Sequence, residues 1–308
     1  MDGDRERAAA EGSKLAESNG IALCYQEFGD PSDETVLLVM GLGMQMLAWD
    51  EDFCELLAGR GFHVIRYDNR DTGLSTKLSG RVNIPAGMLG LTGSAVYDVD
   101  DMAADARGLL DHLEVGRAHV VGASMGGMIA QQLAARHPDR VASLTSIMST
   151  TGRRKPSTMP RFDAMRLLLS RPATTREEYV DSVVGLIGVI GSPGYPADPE
   201  RLRAQAARAW DRSFYPSGIA RQLMAIMASG DRTADVRRIT APSLVIHGLA
   251  DRLVPPRGGR DTAAAIEGAR LELIDGMGHD LPSQLWERIG GLVTGHARTA
   301  AARLAEVG

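Results

Sequence analysis

Ser124 stands in Gly122-Ala123-Ser124-Met125-Gly126, the only G-x-S-x-G in the chain. A serine hydroxyl is almost un-ionised at neutral pH, so it attacks a carbonyl only when a nearby base takes its proton. The pattern alone is weak, and its setting is what points to chemistry. An apolar run, Ala118 to Val121, leads into it, and a helical pattern opens at Met125. This is the strand–turn–helix context in which a strained bend lifts a serine Oγ clear of a sheet edge. Gly122 and Gly126 suit positions where a Cβ would collide with the neighbouring strand and helix. The helix start also supplies free N–H groups and partial positive charge near a developing oxyanion. A dinucleotide-binding turn would instead need glycine at 124 and an acidic residue about 20 positions on, where Ser143 to Ser146 stand. No G-K-[ST] phosphate loop occurs.

Seven histidines compete for the role of base. His63 falls inside a strand run, and His112, His119, His137 and His296 fall on helices or their edges. His247 ends a strand and is the strongest competitor. His279 follows an apolar run through Asp275-Gly276-Met277-Gly278, a glycine-bracketed loop that lets an imidazole reach back over the sheet edge. Its place also fits the chain order Ser, acid, His. Asp251, just after the buried run Ser243 to His247, has the position of the acid that fixes the tautomer of His279 and stabilises its imidazolium. Asp231, Asp235, Asp275 and Asp280 read as solvated turn or cap carboxylates. Oxyanion donors are expected from the backbone N–H of Met125 and from Leu42 in the turn Gly41-Leu42-Gly43. Among 14 methionines, Met44, Met128 and Met224 are candidate walls of an apolar substrate pocket, though ordinary core filling accounts for such residues equally well.

Short apolar runs alternate with helical ones. Ile21 to Phe28, Val36 to Met40, Phe62 to Tyr67, Ala118 to Val121, Val141 to Met148, Ser243 to His247 and Leu271 to Ile274 read as strands. Trp49 to Ala58, Val99 to Leu113, Met125 to Ala135, Gly259 to Ile266 and Ser283 to Ala302 read as helices. This order predicts an α/β fold, a mainly parallel, doubly wound sheet covered on both faces. From Thr150 to about Arg238 the rhythm gives way to helices broken by prolines, an expected insertion over the carboxyl ends of the strands. The expected division is a frayed or disordered leader at 1–18, a core at 19–149 and 239–308, and a helical cap, or lid, at 150–238. Arg66 to Ser75, a polar stretch after a strand, reads as a charge network fixing a sheet-edge loop.

The 308 residues, 44% hydrophobic and 24% charged, suit a globular chain with a large core. A formal charge of −5 leaves no basic footprint for nucleic acid or membrane. No stretch approaches the roughly 18 apolar residues of a membrane span, and Met1 to Asn19 lacks the apolar centre of a signal peptide. With Cys24 and Cys54 in no metal or redox spacing, a cytoplasmic location with reduced thiols is expected.

Met40-Gly41-Leu42-Gly43, Arg66 to Ser75, Gly122 to Gly127 and Gly276-Met277-Gly278-His279 together resemble the α/β-hydrolase superfamily, in particular its aclacinomycin methylesterase-like branch. The resemblance spans nearly the whole chain after about Ser18. It implies the triad Ser124, Asp251 and His279, carboxylic-ester hydrolysis, and no metal or other cofactor. Many superfamily members carry His before the first glycine of the oxyanion loop, where Met40 stands here. A serine nucleophile argues against epoxide hydrolase and haloalkane dehalogenase chemistry, which use Asp. The expected partner is a small to medium apolar ester, with lactone hydrolysis, cofactor-free perhydrolysis and C–C bond hydrolysis as alternatives on the same triad. A non-catalytic small-ligand binding protein is the remote alternative, and the oligomeric state stays open, a homo-oligomer included.

Overall fold

The computed structural model describes residues 11–153 and 156–307. The chain opens with β1 (Lys14–Ser18), β2 (Ile21–Phe28), β3 (Thr35–Val39), α1 (Glu51–Ala58) and β4 (His63–Tyr67). There follow α2 (Ile84–Met88), α3 (Val99–His112), β5 (Ala118–Ala123), α4 (Met125–Arg136) and β6 (Val141–Ile147). Next come five helices, α5 (Phe162–Leu168), α6 (Arg176–Ile190), α7 (Pro199–Arg212), α8 (Pro216–Ser229) and α9 (Thr233–Val236). The last part is β7 (Ser243–Gly248), α10 (Arg257–Ala265), β8 (Arg270–Ile274) and α11 (Trp286–Val307).

The strands form one sheet in the order β1-β2-β4-β3-β5-β6-β7-β8. β2 pairs antiparallel with β1 and β4, and the pairings from β4–β3 onward are parallel. Strands β3 to β7 are buried along their whole length. That explains why they read as unbroken apolar runs such as Val36-Leu37-Leu38-Val39, since helices cover both faces of a parallel sheet. Leu109 and Leu110 of α3 and Ile129 and Leu133 of α4 pack on one face. Phe53 and Leu57 of α1 and Ile289 and Val293 of α11 pack on the other. The mainly parallel, doubly wound sheet is therefore the fold that the alternation predicted. No helix among the described residues is long and apolar enough to cross a membrane.

Two expectations need correction. Residues 1–10 of the expected leader lie outside the described residues, but Lys14–Ser18 is the edge strand β1, paired with β2 from Lys14–Tyr25 to Ser18–Ile21. Its only fully buried side chains are the small Ala16 and Ser18, with Leu15 half-buried against Cys24, Met46 and Leu74, so the stretch carries little hydrophobic signal. The Ser18 hydroxyl donates to the Asp105 carbonyl at 2.7 Å, which ties the strand to α3. His119 lies inside β5 rather than on a helix, with its Nδ1 2.9 Å from the Ser143 hydroxyl of β6.

Helices α5 to α9 leave and rejoin the sheet between β6 and β7. Buried ion pairs fasten them to the polar stretch after β4. Arg212, at the end of α7, reaches Asp68 (Nη1–Oδ2 2.6 Å), and Arg221 of α8 makes a two-pronged pair with Asp71 (2.8 and 2.9 Å). All four side chains are nearly inaccessible to water. Asp68 also accepts from the backbone N–H of Met46 and Leu74, and Asp71 accepts from the Tyr97 hydroxyl. Gly73, at φ +54°, could not carry a side chain, because its Cβ would lie 2.0 Å from an Asp68 oxygen. The polar stretch thus fixes its own loop and also holds the helical segment.

Candidate active site

Ser124 sits between β5 and α4 with φ 56° and ψ −120°, a backbone conformation that L-residues rarely adopt. Packing holds it there. The Ser124 N–H donates to the Ile147 carbonyl at 2.9 Å, and its carbonyl accepts from the Ser149 hydroxyl at 2.7 Å. The flanking glycines leave no room for a Cβ. One at Gly122 would meet the Gly126 carbonyl at 2.1 Å, and one at Gly126 the Val39 carbonyl at 2.0 Å. Strand β3 and helix α4 therefore touch backbone to backbone, which fixes the start of α4 beneath the serine.

From beyond the carboxyl ends of β7 and β8 two further side chains complete a chain of contacts, His279 to Ser124 and Asp251 to His279. His279 Nε2 lies 2.9 Å from Ser124 Oγ, and His279 Nδ1 lies 2.7 Å from Asp251 Oδ2. A carboxylate can only accept, so Nδ1 carries the proton and Nε2 presents a lone pair to the serine hydroxyl. The other Asp251 oxygen accepts from the N–H groups of Leu253 and Val254 at 2.9 and 2.8 Å. Burial pushes the Asp251 carboxyl up, but the charge of His279 and contacts with His247 and His279 outweigh it and hold the group at about 2. Such an array can take a proton from Ser124 and stabilise the resulting imidazolium.

His247, the competing histidine, touches the same carboxylate oxygen as His279. Its Nε2 is 3.4 Å from Asp251 Oδ2 and 2.8 Å from the Val254 carbonyl, whereas the Ser124 hydroxyl has His279 as its partner. Asp280 is adjacent to the site rather than a free turn residue. Burial, with the Asp251 charge adding to it, lifts its carboxyl above the ordinary range against a hydrogen bond from Ser192. Asp231 and Asp235 lie with the helical segment, where Asp231 accepts from Thr233 and Asp235 pairs with Arg238.

Leu42 and Met125, the expected oxyanion donors, both line the cavity that opens on Ser124, and neither N–H has an acceptor among the described residues. The loop carrying Leu42 is held against the serine. A Cβ at Gly41 would stand 3.1 Å from Ser124 Cβ and 3.6 Å from Oγ. Where a histidine would precede the loop, the buried Met40 offers its carbonyl to Asn69 Nδ2 at 2.8 Å. Gln222 of α8 accepts from the Gly43 N–H at 2.8 Å, so the helical segment also steadies this loop. Asn69 lies within the polar stretch Arg66 to Ser75, but its bond to Met40 is visible only in space, and Gln222 carries no motif at all.

The cavity has a volume of about 610 Å³ and runs between the sheet edge and the helical segment. Nine of its lining residues are methionines, among them Met44, at its rim, and Met128, near the serine. Met224 is not one of them. It is fully buried and packs against Gly87 of α2. Its neighbours Leu223, Ile226 and Met227 share the cavity-facing side of α8, and Met224 is turned about 100° from Leu223 around the helix.

Known proteins share this architecture. Residues 34–283 match the family model described as alpha/beta hydrolase fold. The chain is 31% identical over 307 residues to rhodomycin D methylesterase of Streptomyces sp. (strain C5), covering 94% of this chain and 99% of that protein. Rhodomycin D methylesterase of Streptomyces peucetius is 30% identical over the same span. Among solved structures, the enol-lactonase from Burkholderia xenovorans LB400 matches with a TM-score of 0.70 and 26% identity, over 92% of this chain and 99% of that one.

Proposed function

The chain belongs to the alpha/beta hydrolase fold family, and from that premise we propose that it is a serine esterase acting through an acyl-enzyme on Ser124. The observation that supports this reading is the unbroken hydrogen-bond chain from Ser124 through His279 to Asp251. His279 Nε2 takes the hydroxyl proton as Oγ bonds to the ester carbonyl carbon. The tetrahedral oxyanion rests on the N–H groups of Leu42 and Met125. Collapse of the intermediate expels the alcohol, which leaves with the proton held by His279. Water then enters, gives a proton to His279, and releases the acid as the serine hydroxyl is restored.

The substrate we propose is the methyl ester of a bulky apolar acid, hydrolysed within the cytoplasm. Two curated relatives are named as methylesterases, and an apolar cavity of about 610 Å³ gives room for a large acyl group. Helices α5 to α9 act as its cap. The likeness to an enol-lactonase makes lactones the second class to examine. A screen of methyl esters, p-nitrophenyl esters and lactones should show turnover by the wild type. Ser124→Ala should lower it by at least about 10⁴-fold. Ester turnover that survives Ser124→Ala would sink the acyl-enzyme mechanism.

A further inference from the structure

The loop that carries His279 lies between two supports. On the core side, the Ala250 N–H donates to the Met277 carbonyl at 2.9 Å, and a Cβ at Gly248 would meet that carbonyl at 2.2 Å. On the other side stands the turn that follows α6. Its Ile190 carbonyl accepts from the His279 N–H at 2.7 Å, and its Gly194 N–H donates to the Gly276 carbonyl at 2.9 Å. The buried Ser192 hydroxyl brackets the histidine. It accepts from the Gly278 N–H at 2.8 Å and donates to the Asp280 carboxylate. Backbone meets backbone here, since a Cβ at Gly278 would lie 2.3 Å from the Gly191 carbonyl.

We propose that the turn after α6 sets the position of His279, with Ser192 and Asp280 as the positioning pair. This rests on the reading of His279 as the base. Ser192 binds the residues immediately before and after the histidine, so its hydroxyl fixes the backbone from which the imidazole projects. The same helix walls the cavity with Val183, Leu186, Ile187 and Ile190. Ile190 therefore serves two surfaces at once, its side chain facing the acyl cavity and its carbonyl holding the His279 N–H. An acyl group that presses on α6 acts directly on the support of the base. Filling of the pocket and placement of the imidazole are then linked through one turn.

The test compares Ser192→Ala, Asp280→Ala, the double variant and Asp280→Asn in ester turnover and in the rate at which a fluorophosphonate labels Ser124. Small displacements of a catalytic group cost large factors in rate, so each alanine variant should lose about tenfold in kcat with KM changed by less than about twofold. Labelling should slow in parallel. The double variant should fall no further than either single one, because both remove the same link. Asp280→Asn keeps an acceptor for the Ser192 hydroxyl and should recover most of the loss. If Ser192→Ala fails to fold, the Asp280 variants read the same link from its other end. Wild-type kcat and labelling in the alanine variants, losses confined to KM, or losses that add in the double variant would overturn the proposal. A wild-type Ser124 that is not labelled and turns over no ester would remove the esterase reading along with it.

Discussion

Gly41 and Asp251 show how single residues tune the site. Gly41 passes so close to Ser124 that a methyl group there must push either the Gly41–Gly43 loop or the serine. At 3.1 Å from Ser124 Cβ and 3.2 Å from the Ala123 carbonyl, the added methyl presses on the bend that carries the serine, and a few tenths of an ångström of give relieves it. Gly41→Ala should therefore lose about tenfold to a hundredfold in kcat, within the range for a displaced oxyanion donor, while its thermal midpoint stays near that of the wild type. An equal fall in stability would place the effect in the fold instead. Asp251 makes a prediction in pH. Its native carboxyl, held at about 2, lies below the ordinary 3.8, so the unfolded chain binds its proton more readily. Its contribution to stability, about 2 kcal/mol for such a shift, is fully present above about pH 4 and disappears as pH falls through about 2. Urea unfolding of Asp251→Asn should accordingly lose stability less steeply than the wild type below pH 4. Identical slopes would rule out this assignment.

Elements are positioned by groups far away in sequence. Helices α7 and α8 are tied down by Arg212–Asp68 and Arg221–Asp71, pairs from which water is almost excluded. A buried pair adds little net stability, but removing one partner strands the other charge. Arg221→Ala should cost about 3 kcal/mol in urea unfolding, because Asp71 loses both guanidinium bonds. Arg60→Ala should cost far less, since its partner Glu287 is solvent-exposed. Comparable losses would show that the buried anchors are not what holds the segment. These pairs, with Gln222 on the Gly41–Gly43 loop and Ser192 on the His279 loop, make the helical segment part of the site's scaffold.

At the scale of the molecule, one sheet edge collects what four strands deliver. The carboxyl ends of β3, β5, β7 and β8 bring Leu42, Ser124, Asp251 and His279 beneath a methionine-rich cavity. Thioether side chains adapt to shape, so the wall should accept bulky acids of more than one outline. Leu186→Trp, which fills part of the cavity, should abolish turnover of esters of large acids and leave p-nitrophenyl acetate within about threefold, because small acyl groups need only the volume next to the serine. Equal losses on both substrates would mean that the cavity is not the acyl site.

Sequence alone determined the elements whose signal is local. The strand before Ser124, the glycines around it and the loop before His279 announce themselves by apolar runs and by backbone positions that exclude a Cβ. The order of runs predicted the parallel sheet, because strands buried on both faces must be apolar throughout. Edge strand β1 has no such signal, since its fully buried residues are Ala16 and Ser18 and burial of small side chains leaves no pattern. That Met224 faces away from the cavity is hidden for a related reason: composition marks a helix as apolar but does not say which side faces a cavity and which faces another helix. Only the tertiary structure decided the contacts of Asn69, Gln222, Ser192 and Asp280. Each depends on hydrogen bonds between residues 29 to 179 positions apart, and a side chain's partner at that distance follows from packing, not from its neighbours in the chain.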